Sequence, residues 1–278
     1  MTTAGESKGL VVVKLGGSLI TDKRQPETPR PEVIERLAKE IAAARPALAG
    51  AGLLLGHGSG SFGHVAAKQA GLGAGPFCAP GQLAAGTKQQ GASTTQHQAA
   101  KLHRLVVGAL VEAGGSPWSW APSSALTARA GKLRRGAIDT LVSTLELGLV
   151  PVVYGDVVPD VEWGAAIAST EAIVHFLQPR LARRGHPVAR VIWCGETAGI
   201  FDPDGKTISS ISVTEAPSIR RQLGDAAGTD VTGGMRLRLD TCVALARRGV
   251  QSWIVDGTVP GLLEAALRGE SVPGTVVG

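Results

Sequence analysis

Residues 56–64 read GHGSGSFGH and follow directly on the apolar run AGLLL at 51–55. A backbone this bare lets a ligand approach the chain closely, and glycine accepts positive φ where a turn needs it. Ser59, Ser61 and His64 add donors beside Gly58, Gly60 and Gly63. The chemistry served by such a loop is the holding of anionic oxygens, phosphate above all. VVVKLGGSLITDK at 11–23 has the same character: an apolar strand runs into Gly16, Gly17 and Ser18, with Lys14 and Lys23 supplying positive charge. Its plainer reading is a tight turn with two solvated lysines. A third stretch, DVTGGM at 230–235, is followed by Arg236 and Arg238. It can admit a phosphate or start a helix capped by Asp230 or Thr232, and the two are compatible. None of the three is a Walker A sequence or a dinucleotide fingerprint, whose glycines are spaced differently. Two phosphate-type loops on separate strands point to two phosphate-bearing ligands, or to one donor and one acceptor.

Loops of this kind need strand ends to hold them. Short apolar runs recur at 9–17, 51–58, 149–158, 188–195 and 250–257, each closing on glycine or a polar turn. Helical spacing fills the intervals at 30–48, 93–114 and 237–249. Strands apolar nearly throughout, alternating with helices, predict a mainly parallel sheet covered on both faces, with ligands beyond the strands' carboxyl ends. The segment GLGAGPFCAPGQLAAG at 71–86 reads as a loop and a candidate flap.

Composition narrows the function classes. The 278 residues are 44% hydrophobic, enough for a substantial core in one large α/β domain or two smaller ones. The three cysteines, Cys78, Cys194 and Cys242, are an odd number without CxxC spacing, which argues against a disulfide framework or a zinc site and for a reducing cytoplasm. No stretch resembles a secretory leader or approaches the roughly 20 apolar residues of a membrane span. The net charge of +5 is spread over scattered basic pairs, and aromatics make up only 4%, which excludes the usual nucleic-acid patterns. His97, His103 and His175 read as structural.

Taken together, KLGGSLITDK, HGSGSFGH, PVVYGDVV, DVTGGM and the closing VPGLLEAALRGESVPGT resemble the isopentenyl phosphate kinases, a branch of the amino acid kinase family. The likeness runs in order from about residue 10 to 275, and the SFGH loop is its specific part. The resemblance implies a three-layer αβα sandwich with a mainly parallel central sheet. It also implies an acceptor-binding lobe over 9–158, a nucleotide-binding lobe over 159–278, ATP with Mg²⁺ as donor, and a homodimer. It assigns Lys14, Gly16, Gly17, Ser18 and the Gly60 amide to the ATP phosphates, with Glu196, Gly234 and Arg238 on the nucleotide side. On the same resemblance Lys23 would stabilise the transferring phosphoryl group, Ser59, His64 and Thr170 would hold the acceptor, and Glu171 would organise the lysines. Phosphoryl transfer asks a protein mainly to position reactants and offset negative charge, so a site of lysines, a histidine and amides suits it.

The sequence departs from the family pattern in three places. Ser169-Thr170-Glu171 stands where Ser-Gly-Asp is usual, so Thr170 is expected to crowd the acceptor edge and Glu171 to reach one methylene further. Residues 195–199, Gly-Glu-Thr-Ala-Gly, replace Thr-Asp-x-Asp-Gly. Arg238 replaces a lysine, trading a point charge for a planar fork. Besides an isopentenyl phosphate kinase, a kinase for a phosphonate such as fosfomycin and a non-catalytic nucleotide or phosphate sensor fit the same residues.

Overall fold

Six consecutive buried residues form the first strand, β1 (Leu10–Leu15), and their side chains divide strictly between two cores. Leu10 and Val12 face one side of the sheet, and Val11, Val13 and Leu15 face the other. A strand apolar on both faces must lie mid-sheet between two helical layers, and β1 does. The computed structural model describes residues 9–73, 75–78, 86–225 and 231–278, without the side chains of 87, 224, 225 and 231–234.

After β1 come α1 (Gly17–Ile20), α2 (Pro31–Ala44), β2 (Leu53–His57), α3 (Gly60–Gln69), α4 (Thr87–Glu112), β3 (Pro117–Ser119), α5 (Pro122–Ala125), β4 (Leu126–Arg129) and β5 (Lys132–Gly136). The middle of the chain adds α6 (Asp139–Glu146), β6 (Val150–Tyr154), β7 (Asp156–Asp160), β8 (Gly164–Ala168) and α7 (Thr170–Arg183). It closes with β9 (Val188–Gly195), β10 (Ser210–Ile211), α8 (Ala216–Asp225), α9 (Val231–Ala246), β11 (Gln251–Asp256), α10 (Leu262–Arg268) and β12 (Thr275–Val277).

Eight strands join in the order β10-β12-β11-β9-β1-β2-β6-β3, parallel except where β12 runs against β11. Helices α2, α4 and α10 cover one face through Leu37, Leu102 and Leu263, and α6, α7 and α9 cover the other through Leu141, Ile173 and Leu239. This is the αβα sandwich expected from the sequence. No helix among the described residues is long and apolar enough to cross a membrane.

The structure corrects several boundaries. The run at 149–158 is two strands, because the chain turns at Gly155 and β7 enters a second sheet ordered β5-β4-β7-β8. Asp160 anchors that small sheet by accepting from the amides of Ala130, Gly131, Glu162 and Trp163 at 2.8–3.1 Å. Helix α4 starts at Thr87, ahead of the expected 93, and α9 at Val231, ahead of 237. Of the candidate flap, residues 74 and 79–85 lie outside the described residues, while Phe77 packs with Leu72 and Val157.

Candidate active site

The parallel register brings the carboxyl ends of five strands to one edge: Leu15 pairs with His57 and Cys194, His57 with Tyr154, and Gly195 with Asp256. Both glycine loops leave this edge, in the place that open α/β sheets reserve for ligands. They touch each other directly. A Cβ on Gly17 would lie 2.7 Å from the Gly60 nitrogen, and one on Gly58 would lie 2.9 Å from the Gly17 nitrogen, so only bare backbone fits on either side. Gly60 has φ +51°, and a Cβ there would run into the Thr21 hydroxyl. That hydroxyl ties the loops together, donating to Gly17 O at 2.6 Å and accepting from the Ser61 amide at 2.9 Å.

Lys14, near the end of β1, is 6% exposed and meets Glu171 at 2.7 Å. Burial holds the Lys14 ammonium below the ordinary lysine value; Glu171 works the other way, and Arg238 and Lys23 add repulsion. Burial alone would raise the Glu171 carboxyl, but Lys14 and then Arg238 outweigh it and leave it below the ordinary range. The Glu171 carboxylate thus sits among the basic side chains of Lys14, to which it is paired, and Arg238, with Lys23 near enough to repel Lys14. Arg238 reaches the end of β9, where a Cβ on Gly195 would come 3.3 Å from its guanidinium. Lys23 stands exposed on the turn after α1. This excess of positive charge is arranged for an anion.

The remaining residues singled out in the sequence fall around this centre. Gly16 and Ser18 begin α1, whose first amides have no partner within the helix. Ser59 precedes α3, and His64 lies one helical turn beyond Gly60 on its exposed side. The crowding expected at Thr170 does not arise: its side chain is 1% exposed, its hydroxyl donates to His57 O at 2.6 Å, and its methyl packs over Gly56. What α7 offers a ligand at this point is backbone, with Ser169 capping the helix through the Ala172 amide. Glu196 is paired with Arg30 at 2.6 Å. Gly234 lies in the first turn of α9, while Asp230 and the side chains of 231–234 are outside the described residues.

Sequence reasoning passed over His57 and Thr197, and read His103 as structural. His57 and His103 are both buried and bonded to each other at 3.0 Å, and Tyr154 stacks on both rings. The signal available was the position of His57 at the foot of the glycine loop. Thr197 Oγ1 and Arg238 Nε are buried without a hydrogen-bond partner among the described residues, beside the Glu196 and Gly195 backbone. Orphaned donors on the far side of Lys14 from the SFGH loop fit a phosphate-bearing nucleotide there. Among the described residues, no three His, Cys, Asp or Glu side chains gather as a metal cage.

The amino acid kinase family model matches residues 9–256. This chain belongs to the amino acid kinase family. Among curated proteins it is similar to the isopentenyl phosphate kinase of Methanothermobacter thermautotrophicus, 34% identical over 96% of this chain and 98% of the relative. The isopentenyl phosphate kinase of Haloferax volcanii is 32% identical over the same shares. Among solved structures, an isopentenyl phosphate kinase superposes with a TM-score of 0.78 at 30% identity, over 96% of this chain and 99% of the other. A member of this family with such relatives is a phosphotransferase, and the cationic centre between two glycine loops is its candidate site.

Proposed function

We propose that this amino acid kinase transfers the terminal phosphoryl group of ATP to isopentenyl phosphate, giving the diphosphate by direct in-line displacement. The observation that carries the reading is the charge balance at the loop junction: Lys14, Lys23 and Arg238 outnumber Glu171 where two phosphate-type loops abut. Two phosphates repel each other, and bringing them together needs cations and amides already in position. The names of the relatives supply the acceptor.

In this reading Lys14 and Arg238 hold the donor phosphates together with the amides of Gly17, Ser18 and Gly60. Lys23 offsets the charge that builds on the phosphoryl group in flight. Glu171 fixes the Lys14 ammonium and takes no part in bond making. Ser59, His64 and the backbone of Thr170 hold the acceptor phosphate, while Glu196 and Gly234 belong to the nucleotide side. Mg²⁺, when carried in by the nucleotide, would neutralise part of the phosphate charge beside Lys14 and Arg238. No covalent enzyme intermediate is required. Residues 9–158 then serve as the acceptor lobe and 159–278 as the nucleotide lobe of one domain. We also read the protein as a homodimer, which would cover Leu105, Val111 and Trp118, exposed by 45%, 56% and 53% beside the open sheet edge at β3.

The test is a coupled ADP-release assay with ATP, Mg²⁺ and isopentenyl phosphate, dimethylallyl phosphate, geranyl phosphate or fosfomycin. Turnover of prenyl phosphates supports the proposal. Turnover of fosfomycin alone transfers it to a phosphonate. Silence with all four, while ATP still binds by calorimetry, refutes kinase action on this class and leaves a sensor.

A further inference from the structure

His57 ends β2 with its ring fully buried directly behind the glycine loop. Its Nδ1 lies 3.0 Å from the carbonyl oxygen of Gly58. A carbonyl can only accept, so Nδ1 carries the hydrogen. Its Nε2 lies 3.0 Å from Nδ1 of His103, whose own Nε2 lies 3.0 Å from the Ser119 hydroxyl. With one hydrogen on each ring, the directions are fixed throughout: Ser119 donates to His103, His103 to His57, and His57 to Gly58. Burial, as the first cause, keeps both rings neutral well below their ordinary value, with His57 lowered to about 4 and His103 to about 3. The His57 backbone is held equally firmly, its carbonyl accepting from Thr170 Oγ1 at 2.6 Å and from the Gly155 amide at 2.9 Å.

The consequence lies in the next peptide. Peptide units are planar and no cis bond interrupts the described chain, so the Ser59 N–H points opposite to the Gly58 C=O. With that carbonyl drawn back toward His57, the amide faces the loop's open side. No acceptor among the described residues meets it.

We propose that His57 is a positioning residue for phosphate binding, its ring holding the Gly58 carbonyl from behind so that the Ser59 amide is presented to a phosphate oxygen. His103 and Ser119 fix the tautomer that makes this possible. The inference rests on the kinase reading of the same site, but its test does not depend on turnover.

The test uses the full-length protein labelled with ¹⁵N-serine, and inorganic phosphate as probe. In the wild type the Ser59 amide resonance shifts on titration with phosphate. His57→Leu removes the donor and leaves that resonance unmoved at the same phosphate concentrations. His57→Asn, whose Nδ2 occupies the place of the imidazole Nδ1, restores the shift. With isopentenyl phosphate and ATP, His57→Leu lowers turnover on the order of tenfold or more while Asn recovers most of it, a split that mere loss of packing would not produce. A Ser59 amide indifferent to phosphate in the wild type, or Leu and Asn variants that behave alike when both are folded, overturns the proposal. Should the wild type turn over none of the prenyl phosphates yet show the shift and its rescue, the kinase reading fails and the positioning role stands.

Discussion

The contact between the two glycine loops gives the sharpest prediction. Gly17→Ala adds one methyl group at a position in α1 with an ordinary helical backbone, so no φ penalty enters. Its whole effect is steric. The new Cβ would lie 2.7 Å from the Gly60 nitrogen and 2.9 Å from the Gly60 Cα, and ordinary contact begins at 3.4 Å. Both neighbours are backbone and cannot rotate away, so the loops must part by about 0.7 Å, the shortfall to ordinary contact. A misplacement near 1 Å in a site of this kind costs on the order of 100-fold, so a loss of roughly 10- to 100-fold in kcat is expected, about 1.4–2.8 kcal/mol in the barrier. Overpacking adds about 1–3 kcal/mol of destabilisation, seen as a melting temperature lower by several degrees. The assay is steady-state ADP release with isopentenyl phosphate, run well below the melting temperature of the variant. A folded Gly17→Ala protein with kcat within twofold of wild type would refute the idea that the abutting loops set the phosphate geometry.

Four further outcomes follow from the same site. Because burial holds Lys14 below the ordinary lysine value of 10.5, and its charged form is the one that grips phosphate, kcat/KM should fall with rising pH before 10.5 is reached. Over that window the unfolded chain binds the extra proton, so Lys14 makes folding stability rise as activity falls, and melts run beside the rate profile check the opposite signs. Glu171→Gln removes the carboxylate that steadies Lys14, and should both cost turnover and move this basic limb to still lower pH; an unmoved limb would sever Glu171 from Lys14. Thr170→Val deletes an inward-facing hydroxyl whose acceptor keeps a second donor, the Gly155 amide, so about 1 kcal/mol of stability should go with activity near wild type, as urea titration and ADP release would reveal. For the buried histidines the folded values lie below 6.5, so their stabilisation is complete above 6.5 and is lost as pH falls toward about 4 and 3. Between pH 6.5 and 5 this is on the order of 1.5 kcal/mol per ring, the slope approaching roughly 1.4 kcal/mol per pH unit only below 6.5, and urea unfolding at the two pH values should lose that dependence in a His57→Leu, His103→Leu double variant.

The sandwich was legible because β1, β2, β9 and β11 are apolar on both faces, a pattern that only a covered parallel strand tolerates. The break at Gly155 was not legible, since Val157 and Val158 resume the apolar run just beyond it; what ends β6 is the change of partner, from β2 to β8. Strands as short as β3 and β10 carry too few residues for any period to register. At the candidate site, residue type and spacing singled out Lys14, the glycines and the SFGH loop, and the fold brings them to one sheet edge; the phosphate role given to them belongs to the proposed function. Thr170 was misjudged for a physical reason: a side chain at a helix start can turn inward when a strand-end carbonyl such as that of His57 awaits its hydroxyl, and only the fold supplies that carbonyl.

Thr170, read from the sequence as crowding the acceptor edge, and His57, which that reading passed over, both turn toward the same stretch of backbone. The His57 ring holds the Gly58 carbonyl, and Thr170 shares the His57 carbonyl with the Gly155 amide, both from the protein side. Glycines give that loop its freedom to approach a ligand, and the same freedom leaves its amides without a direction of their own. A loop built from glycine must be aimed by its neighbours, so the residues that set its geometry are found behind it, buried, with side chains that never meet the ligand.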